Sequence, residues 1–338
     1  MKILVTGGLG FIGSHTVVEL QQKKFEVIII DNLSNSSIDV LDGITKITGK
    51  TPEFHNFDLR DKEKTNAFFN NHQDISGIIH FAASKAVGES VVNPLLYYEN
   101  NINTLVYLLQ AQTQLPQANF IFSSSCTVYG EADELPITED APVKQAESPY
   151  GNTKQIGEEI ILDTTKTKSN FKAIALRYFN PIGAHESAEI GELPIGTPQN
   201  LVPYITQTAA GIREELSIFG DDYPTADGTC IRDYIHVVDL AKAHVVALER
   251  QLQGNCKSNF EVFNLGTGKG SSVKEVVETF ERVTNQKLPH KIVSRREGDV
   301  VAAYANTQKA KNELGWETKL TLDDALKSAW KWQLKLQS

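Results

Sequence analysis

The chain has 338 residues, 41% hydrophobic and 22% charged, with a formal net charge of −9 and a sequence pI near 5.5. That acidic balance argues against nucleic acid or an anionic membrane as partner but leaves room for an anionic small molecule held by a few local arginines. Cys126, Cys230 and Cys256 lack C-x-x-C spacing, no stretch reaches the roughly twenty apolar residues of a membrane span, and the start lacks a secretory pattern, so a reduced, cytoplasmic setting is expected.

In chain order, Lys2-Ile3-Leu4-Val5 is too short and apolar for anything but a buried parallel strand. The turn Thr6-Gly7-Gly8-Leu9-Gly10-Phe11-Ile12-Gly13 follows. Ser14 to Leu20 then reads as a helix with His15, Glu19 and Gln21 outward and Val17, Val18 and Leu20 inward. Strand, glycine-rich turn and helix form the phosphate-binding corner of a βαβ unit. Gly7 permits the tight turn, Gly10 lets a pyrophosphate approach bare backbone, and Gly13 lets the helix pack close on the strand. Any tight strand-to-helix turn favours glycine, so the context decides. A second strand, Glu26 to Ile30, ends in Asp31, where a carboxylate accepts from both ribose hydroxyls of a dinucleotide. No base follows in Asn32-Leu33-Ser34-Asn35-Ser36-Ser37 to meet a 2′-phosphate, so the expected dinucleotide is NAD rather than NADP.

A helix near Ser37 to Thr48 leads to a strand from Glu53 to Phe57 closing on Asp58-Leu59. Next come a helix from Asp61 to Asn70, a strand from Gly77 to Ala82, and one long helix from Pro94 to Leu115. Ala118 to Phe122 is a strand, Tyr150 to Lys166 a helix and Lys172 to Arg177 a strand. This alternation predicts an α/β fold with a doubly wound parallel sheet of the Rossmann type. Its ligands sit outside the carboxyl ends of the strands, where Gly7, Asp31, Asp58, Phe81 and Ser123 fall. From Asn180 the pattern becomes loop-rich, although Glu261 to Leu265 reads as a strand returning to the first sheet. A dinucleotide-binding domain over 1–179 and a smaller, interleaved substrate lobe over 180–338 are expected, with segments near 236–266 returning to the first domain.

Tyr150-Gly151-Asn152-Thr153-Lys154 puts a phenol and an ammonium at i and i+4 on one helix face. A neighbouring cation favours the phenolate, so Tyr150 is expected to titrate below its reference value of about 10 and serve as a general base. The spacing alone is equally that of a helix-surface contact. Ser123-Ser124-Ser125, at the end of a predicted strand on the dinucleotide rim, adds a hydroxyl that can hold a substrate oxygen.

Glycine turn, serine and tyrosine–lysine pair, in that order, resemble the extended short-chain dehydrogenase/reductase superfamily. Phe122-Ser123-Ser124-Ser125-Cys126-Thr127-Val128-Tyr129-Gly130, Arg177-Tyr178-Phe179-Asn180-Pro181, Arg232-Asp233-Tyr234-Ile235-His236-Val237 and Arg295-Arg296-Glu297-Gly298-Asp299 resemble its UDP-glucose 4-epimerase family. The resemblance implies tightly bound NAD, with Phe11 and Ile12 on the pyrophosphate, Asp31, Asn32, Asn35 and Ser36 on the adenosine ribose side, and Asp58 and Leu59 at the adenine. Phe81, Ala82, Lys85 and Asn100 would line the path to the nicotinamide, closed by Tyr150, Lys154 and Phe179. Asn180, Asn200, Leu201, Ser217, Ile218, Phe219, Arg232, Arg296 and Asp299 would hold the UDP-sugar, and Ser125, Tyr150 and Lys154 would be catalytic. Two arginines neutralise a pyrophosphate, Asp299 accepts from a hydroxyl, and Phe219 offers a face to uracil.

The implied reaction is inversion at C4 of UDP-galactose or UDP-glucose through a transient 4-ketosugar, without net redox change. A 4,6-dehydratase or decarboxylase would want a carboxylate near Cys126-Thr127-Val128, where there is none; an inactive dinucleotide sensor would have no use for Ser125, Tyr150 and Lys154. Three positions depart from the family. Cys126 replaces Ala and is expected to pack inertly, and Asn152-Thr153 replaces Lys-Ser with side chains expected to face away from the cofactor. Ala303 stands where hexose-restricted members carry Tyr, which opens room for N-acetylhexosamines. A homodimer is implied, built from the helices at Pro94–Leu115, with Leu95, Leu96, Leu105, Leu108 and Leu109, and at Tyr150–Lys166. The eight histidines show no zinc-ligand spacing, and no metal site is expected.

Overall fold

A computed structural model describes residues 1–116, 118–168, 170–296 and 299–338. Glu297 and Gly298 of the arginine-rich motif lie outside the described residues. The chain divides into two units, one of residues 1–130, 142–178 and 241–263, the other of 131–141, 179–240 and 264–338. Residues 131–141 join the second unit because Ile137 bridges to Ala305 and its N–H donates to the Tyr304 carbonyl at 2.9 Å.

The elements run β1 (Lys2–Thr6), α1 (Phe11–Gln22), β2 (Glu26–Asp31), α2 (Val40–Thr48), β3 (Glu53–Asn56), α3 (Lys62–Asn71) and β4 (Ile75–His80). Three short helices follow, α4 (Val87–Val92), α5 (Pro94–Tyr98) and α6 (Thr104–Gln112), then β5 (Ala118–Ser125), α7 (Pro149–Thr167) and β6 (Phe171–Tyr178). The second unit begins with β7 (Asn180–Ile182), α8 (Leu201–Ala209), β8 (Leu216–Phe219), β9 (Ile231–Arg232) and β10 (Tyr234–His236). Helix α9 (Val237–Leu252) carries the chain back to β11 (Phe260–Leu265). The rest is β12 (Ser271–Ser272), α10 (Val273–Thr284), β13 (His290–Val293), β14 (Ala302–Ala303) and α11 (Leu322–Lys335).

In the first unit a seven-stranded sheet has the order β11-β6-β5-β4-β1-β2-β3, with parallel ladders from β6 across to β3. Ile3, Leu4 and Val5, like Ile28, Ile29 and Ile30, are buried, as strands covered on both faces must be. Helix α1 is buried further round than its pattern predicts. His15 and Gln21, expected outward, are both buried. His15 Nδ1 meets the Phe11 carbonyl at 2.7 Å, and Gln21 accepts from Thr48 of α2 at 2.8 Å, so α2 covers a face that amphipathic reasoning left to water.

The expected helix from Pro94 to Leu115 is interrupted. A π-helical turn over Glu99–Asn103 separates α5 from α6, a distortion that concentrates at functional sites. It turns Asn101 toward Ser84, whose N–H it accepts at 2.8 Å, and toward Thr153 Oγ1 at 3.0 Å.

The second unit has its own core around Ile182, Val202, Ile205, Leu216, Ile218, Phe280 and Leu326. Its ladders are short: β7 with β10, β12-β9-β14, and β8 with β13. Capping boxes start α10 (Ser272 with Glu275) and α11 (Thr321 with Asp324).

Candidate active site

The glycine turn is fitted to close approach. Gly7 has φ +68°, and a Cβ there would lie 2.7 Å from the Ala82 nitrogen. A Cβ on Gly13 would come within 2.2 Å of the Gly7 carbonyl oxygen. Gly10 is the N-cap of α1 without any side-chain cap, and the first turn, with Phe11 and Ile12, carries no acid. Bare backbone at a positive helix end is what a pyrophosphate requires. Asp31, ending β2, accepts from Leu9 N–H at 3.1 Å, Leu33 N–H at 2.9 Å and the Ser36 hydroxyl at 2.8 Å, which ties it to the turn.

Asn32 donates to Asp58 at 3.0 Å. The Arg60 guanidinium beside Asp58 holds that carboxyl down at about 2. Leu59 is buried in the sheet core, so its side chain is committed to packing and only its backbone can meet a ligand. Asn35 is exposed. Phe81 leans on His244 with ring centroids 4.7 Å apart, Ala82 N–H points to Thr6 Oγ1 at 3.4 Å, Asn100 donates to Ser84 at 3.1 Å, and Lys85 is exposed. Within this unit, therefore, the turn, the ends of β2 and β3 and the segment after β4 supply the residues read from sequence as cofactor contacts.

Ser125, Tyr150 and Lys154 come together. Ser125 ends β5 and accepts from Thr127 N–H at 3.2 Å. Ser148 caps α7 by accepting from Gly151 N–H at 3.1 Å, and Pro149 occupies the first turn, which places Tyr150 at the start of the helix. Lys154 Nζ donates to the Ser123 carbonyl at 2.7 Å and lies 5.7 Å from the Tyr150 ring centroid.

The expected acidic phenol is not what this environment produces. Burial pushes the Tyr150 hydroxyl well above its ordinary value, Tyr178 adds to the rise, and only the hydrogen bond with Ser125 opposes it. The same burial brings Lys154 down to about 8. A cation in sequence register is thus outweighed by desolvation of both partners.

Asn152 donates to the Tyr98 hydroxyl of α5 at 2.7 Å, and Thr153 Oγ1 donates to the Tyr150 carbonyl at 2.7 Å while accepting from Asn101 of the π-helical turn at 3.0 Å, so this departure from the family ties α7 to α5 and the π-helical turn. Cys126 is half-buried. One neighbour escaped sequence reasoning: Thr127 Oγ1 is buried without a hydrogen-bond partner, beside Ser125 in the chain.

The second unit assembles a charged cluster. Arg232 and Arg296 both donate to Asp299 Oδ1, at 3.1 and 2.9 Å. The Arg296 guanidinium also stands 5.9 Å over the Phe219 ring, which is 43% exposed. Ser217 is half-buried beside it. Ile218 is buried in the core, because alternation along β8 turns it opposite to Phe219, and its side chain cannot touch a ligand. Ala303 pairs in parallel register with Arg232, so the two share a face. Asp233 beneath them accepts from Thr267, Gly268 and Ala305 N–H at 2.8, 3.2 and 3.1 Å and fixes these strands. Tyr223, unremarked in the sequence, lies under Arg295 at 4.0 Å with its buried hydroxyl unpartnered. Phe179 is buried, with its N–H on the Leu265 carbonyl at 3.3 Å. The Asn180 backbone N–H bonds the Asp233 carbonyl at 2.9 Å, the Asn200 side chain donates to Glu192 at 2.6 Å, and Leu201 opens α8.

A parallel sheet with a glycine-rich first turn, a ribose-length carboxylate and a serine–tyrosine–lysine constellation define an enzyme of the short-chain dehydrogenase/reductase class. The family model described as GDP-mannose 4,6 dehydratase matches residues 4–329. A UDP-glucose 4-epimerase of Bacillus subtilis is 48% identical over 98% of this chain and 97% of its own length. Among solved structures, a UDP-glucose 4-epimerase from Stenotrophomonas maltophila with bound NAD and formylated UDP-arabinopyranose superposes with TM-score 0.95 at 46% identity, over 100% of this chain and 99% of that one. The enzyme from Bifidobacterium longum, in complex with NAD+ and UDP, gives 0.95 at 45%, covering 99% and 98%. The chain belongs to the family of the matching model and, within the resemblance that spans its whole length, to the UDP-glucose 4-epimerases.

Proposed function

We infer that this chain is an isomerase that interconverts UDP-galactose and UDP-glucose by transient NAD-dependent oxidation at C4. The observation that carries the reading is the meeting of Ser125, Tyr150 and Lys154 at the carboxyl end of β5. The glycine turn, unable to accept a Cβ at Gly7 or Gly13, and Asp31 would hold the dinucleotide. When bound, NAD supplies a reversible two-electron acceptor with a cationic oxidised ring.

Cationic company lowers a phenol that burial alone raises, and so lets Tyr150 take the proton of the sugar 4-hydroxyl and return it. Ser125 holds the reacting oxygen. Lys154, anchored on the Ser123 carbonyl, keeps a positive charge beside the phenol. Arg232 and Arg296 share a single oxygen of Asp299, and a diphosphate offers them more acceptors than that one atom. Phe219 would cover the uracil, and a diphosphate held in this way lets the 4-ketosugar turn over without escaping.

A dehydratase reading wants a free carboxylate near the serine. Glu158, the acid on α7 facing this region, is instead buried and bonded to Ser124 at 2.5 Å and bidentately to Arg177 at 2.9 and 2.6 Å. The purified protein is expected to convert UDP-galactose to UDP-glucose with no added NAD. A 4-keto-6-deoxy product, or no turnover even with NAD supplied, would overturn the reading.

Substrate breadth follows from Ala303. Tyr304, the neighbour able to refill the space, packs instead against Gly270, where an added Cβ would lie 3.1 Å from its ring. Both the plain hexoses and their N-acetyl counterparts are therefore substrates in this reading. Ala303→Tyr is expected to abolish turnover of UDP-N-acetylgalactosamine and spare UDP-galactose; equal effects on both would refute it.

We place the enzyme in the cytoplasm as a homodimer. No helix among the described residues is long and apolar enough to cross a membrane. The dimer draws support from Val91, Val92, Leu95 and Leu96 on α4 and α5 and Leu162 on α7, all exposed. Leu105, Leu108 and Leu109, which the sequence assigned to that face, are buried in the sheet's own core.

A further inference from the structure

We propose that Glu53, His55 and His72 form a binding site for a zinc-class divalent transition cation at the β3 edge of the sheet. Glu53 and His55 are two residues apart on β3, so their side chains share one face of that edge strand. His72 is the C-cap of α3, which follows β3 in the chain. One ligand atom from each residue lies within 4.8 Å of the other two. His55 Nε2 is 2.7 Å and His72 Nε2 3.3 Å from the same atom, Glu53 Oε1.

The tautomer of His72 gives the second, independent observation. Its Nδ1 sits 2.7 Å from the Phe68 carbonyl, an oxygen that only accepts, so Nδ1 carries the proton. Nε2 then faces the Glu53 carboxylate, with which it forms an ion pair when the ring is protonated and beside which it offers a lone pair to a cation when the ring is neutral. A cation at that point satisfies both. A ring nitrogen bonded to a backbone carbonyl opposite the ligating nitrogen is the support that zinc-bound histidines use.

The ring is also held in place. It stacks on Phe68 with centroids 4.1 Å apart and planes 18° from parallel, and His55 meets Phe68 edge-on at 5.0 Å. Two imidazoles and one carboxylate are the protein ligands of an open zinc site, with water completing the tetrahedron. At zinc bond lengths the ligand atoms stand about 3.3 Å apart, as His72 and Glu53 already do, and the exposed Glu53 carboxylate has room to swing away from His55. Spacing along the chain did not suggest this site because one ligand pair lies on a strand and the third at a helix end.

The test is zinc titration of the intact protein by calorimetry, with cobalt(II) absorption as the geometric readout. One zinc per chain is expected, together with a visible tetrahedral cobalt spectrum and no binding of magnesium at the same concentration. His55→Gln and Glu53→Gln are each expected to weaken zinc by about 100-fold or more, with epimerase turnover unchanged as evidence that the variants fold. Failure of the native protein to bind zinc, which would leave a protonated His72 paired with Glu53, overturns the proposal. So does zinc binding that survives in both variants, since it would then belong to other histidines or cysteines. Because these residues take no part in turnover, loss of this site and loss of the epimerase reading are separable results.

Discussion

At the residue scale, Tyr150 and Lys154 have their proton affinities driven in opposite directions by one cause, burial. Tyr150→Phe keeps the ring and removes only the titrating oxygen. Turnover is expected to fall by about 10³-fold or more while the NAD released on denaturation stays at the native level; near-native turnover would sink the acid–base role. Lys154 yields a pH prediction. Its native value of about 8 lies below the unfolded 10.5, so between those values the unfolded chain binds the extra proton. Stability therefore rises with pH across that window, and the cost of burying the ammonium is fully present below about 8. From pH 7 to 9.5 the wild type should gain about 2 kcal/mol relative to Lys154→Met. Urea denaturation of both proteins at the two pH values measures this, and a constant difference would refute it. Buried tyrosines with raised values work in the opposite sense above pH 10, which sets the upper limit of the comparison.

At the element scale, Glu158 fastens α7 to the two strands beneath it, accepting from Ser124 of β5 and Arg177 of β6. Arg177 also stands 4.8 Å over the Tyr129 ring. Glu158→Ala strands a buried guanidinium and is expected to cost about 3–5 kcal/mol, read from the denaturation midpoint at constant m-value; a loss under 1 kcal/mol would show that water reaches the arginine. This pair explains what the sequence could and could not disclose. The strands of the first sheet and the glycine turn were legible because apolar runs and φ-permissive glycines are local signals. Arg177 was visible only as a motif letter, since its partner lies on another element. The π-helical turn was hidden for a different reason: Asn100 and Asn101 read as ordinary helix residues until Ser84 and Thr153 are brought beside them. The proton affinity of Tyr150 was misjudged because spacing reports a neighbouring charge and is silent on desolvation.

At the scale of the whole molecule, five exposed apolar residues, Val87, Val91, Val92, Leu95 and Leu96, stand together on α4 and α5, where Val92 is 76% and Leu95 80% exposed. Leu95→Asp, in the homodimer reading, places a charge in a dry interface and should halve the mass seen by light scattering at micromolar concentration; an unchanged mass excludes this face. The chain passes between its two units five times, and that has a consequence for biosynthesis. When Tyr178 has left the ribosome, β6 has one neighbour, β5, while its other edge waits for β11, which begins only at Phe260. At about 5–20 residues per second that edge stays open for several seconds. An unpaired strand edge of this kind recruits other chains, so the interval between β6 and β11 is the time during which a polysome carrying this message is most exposed to aggregation.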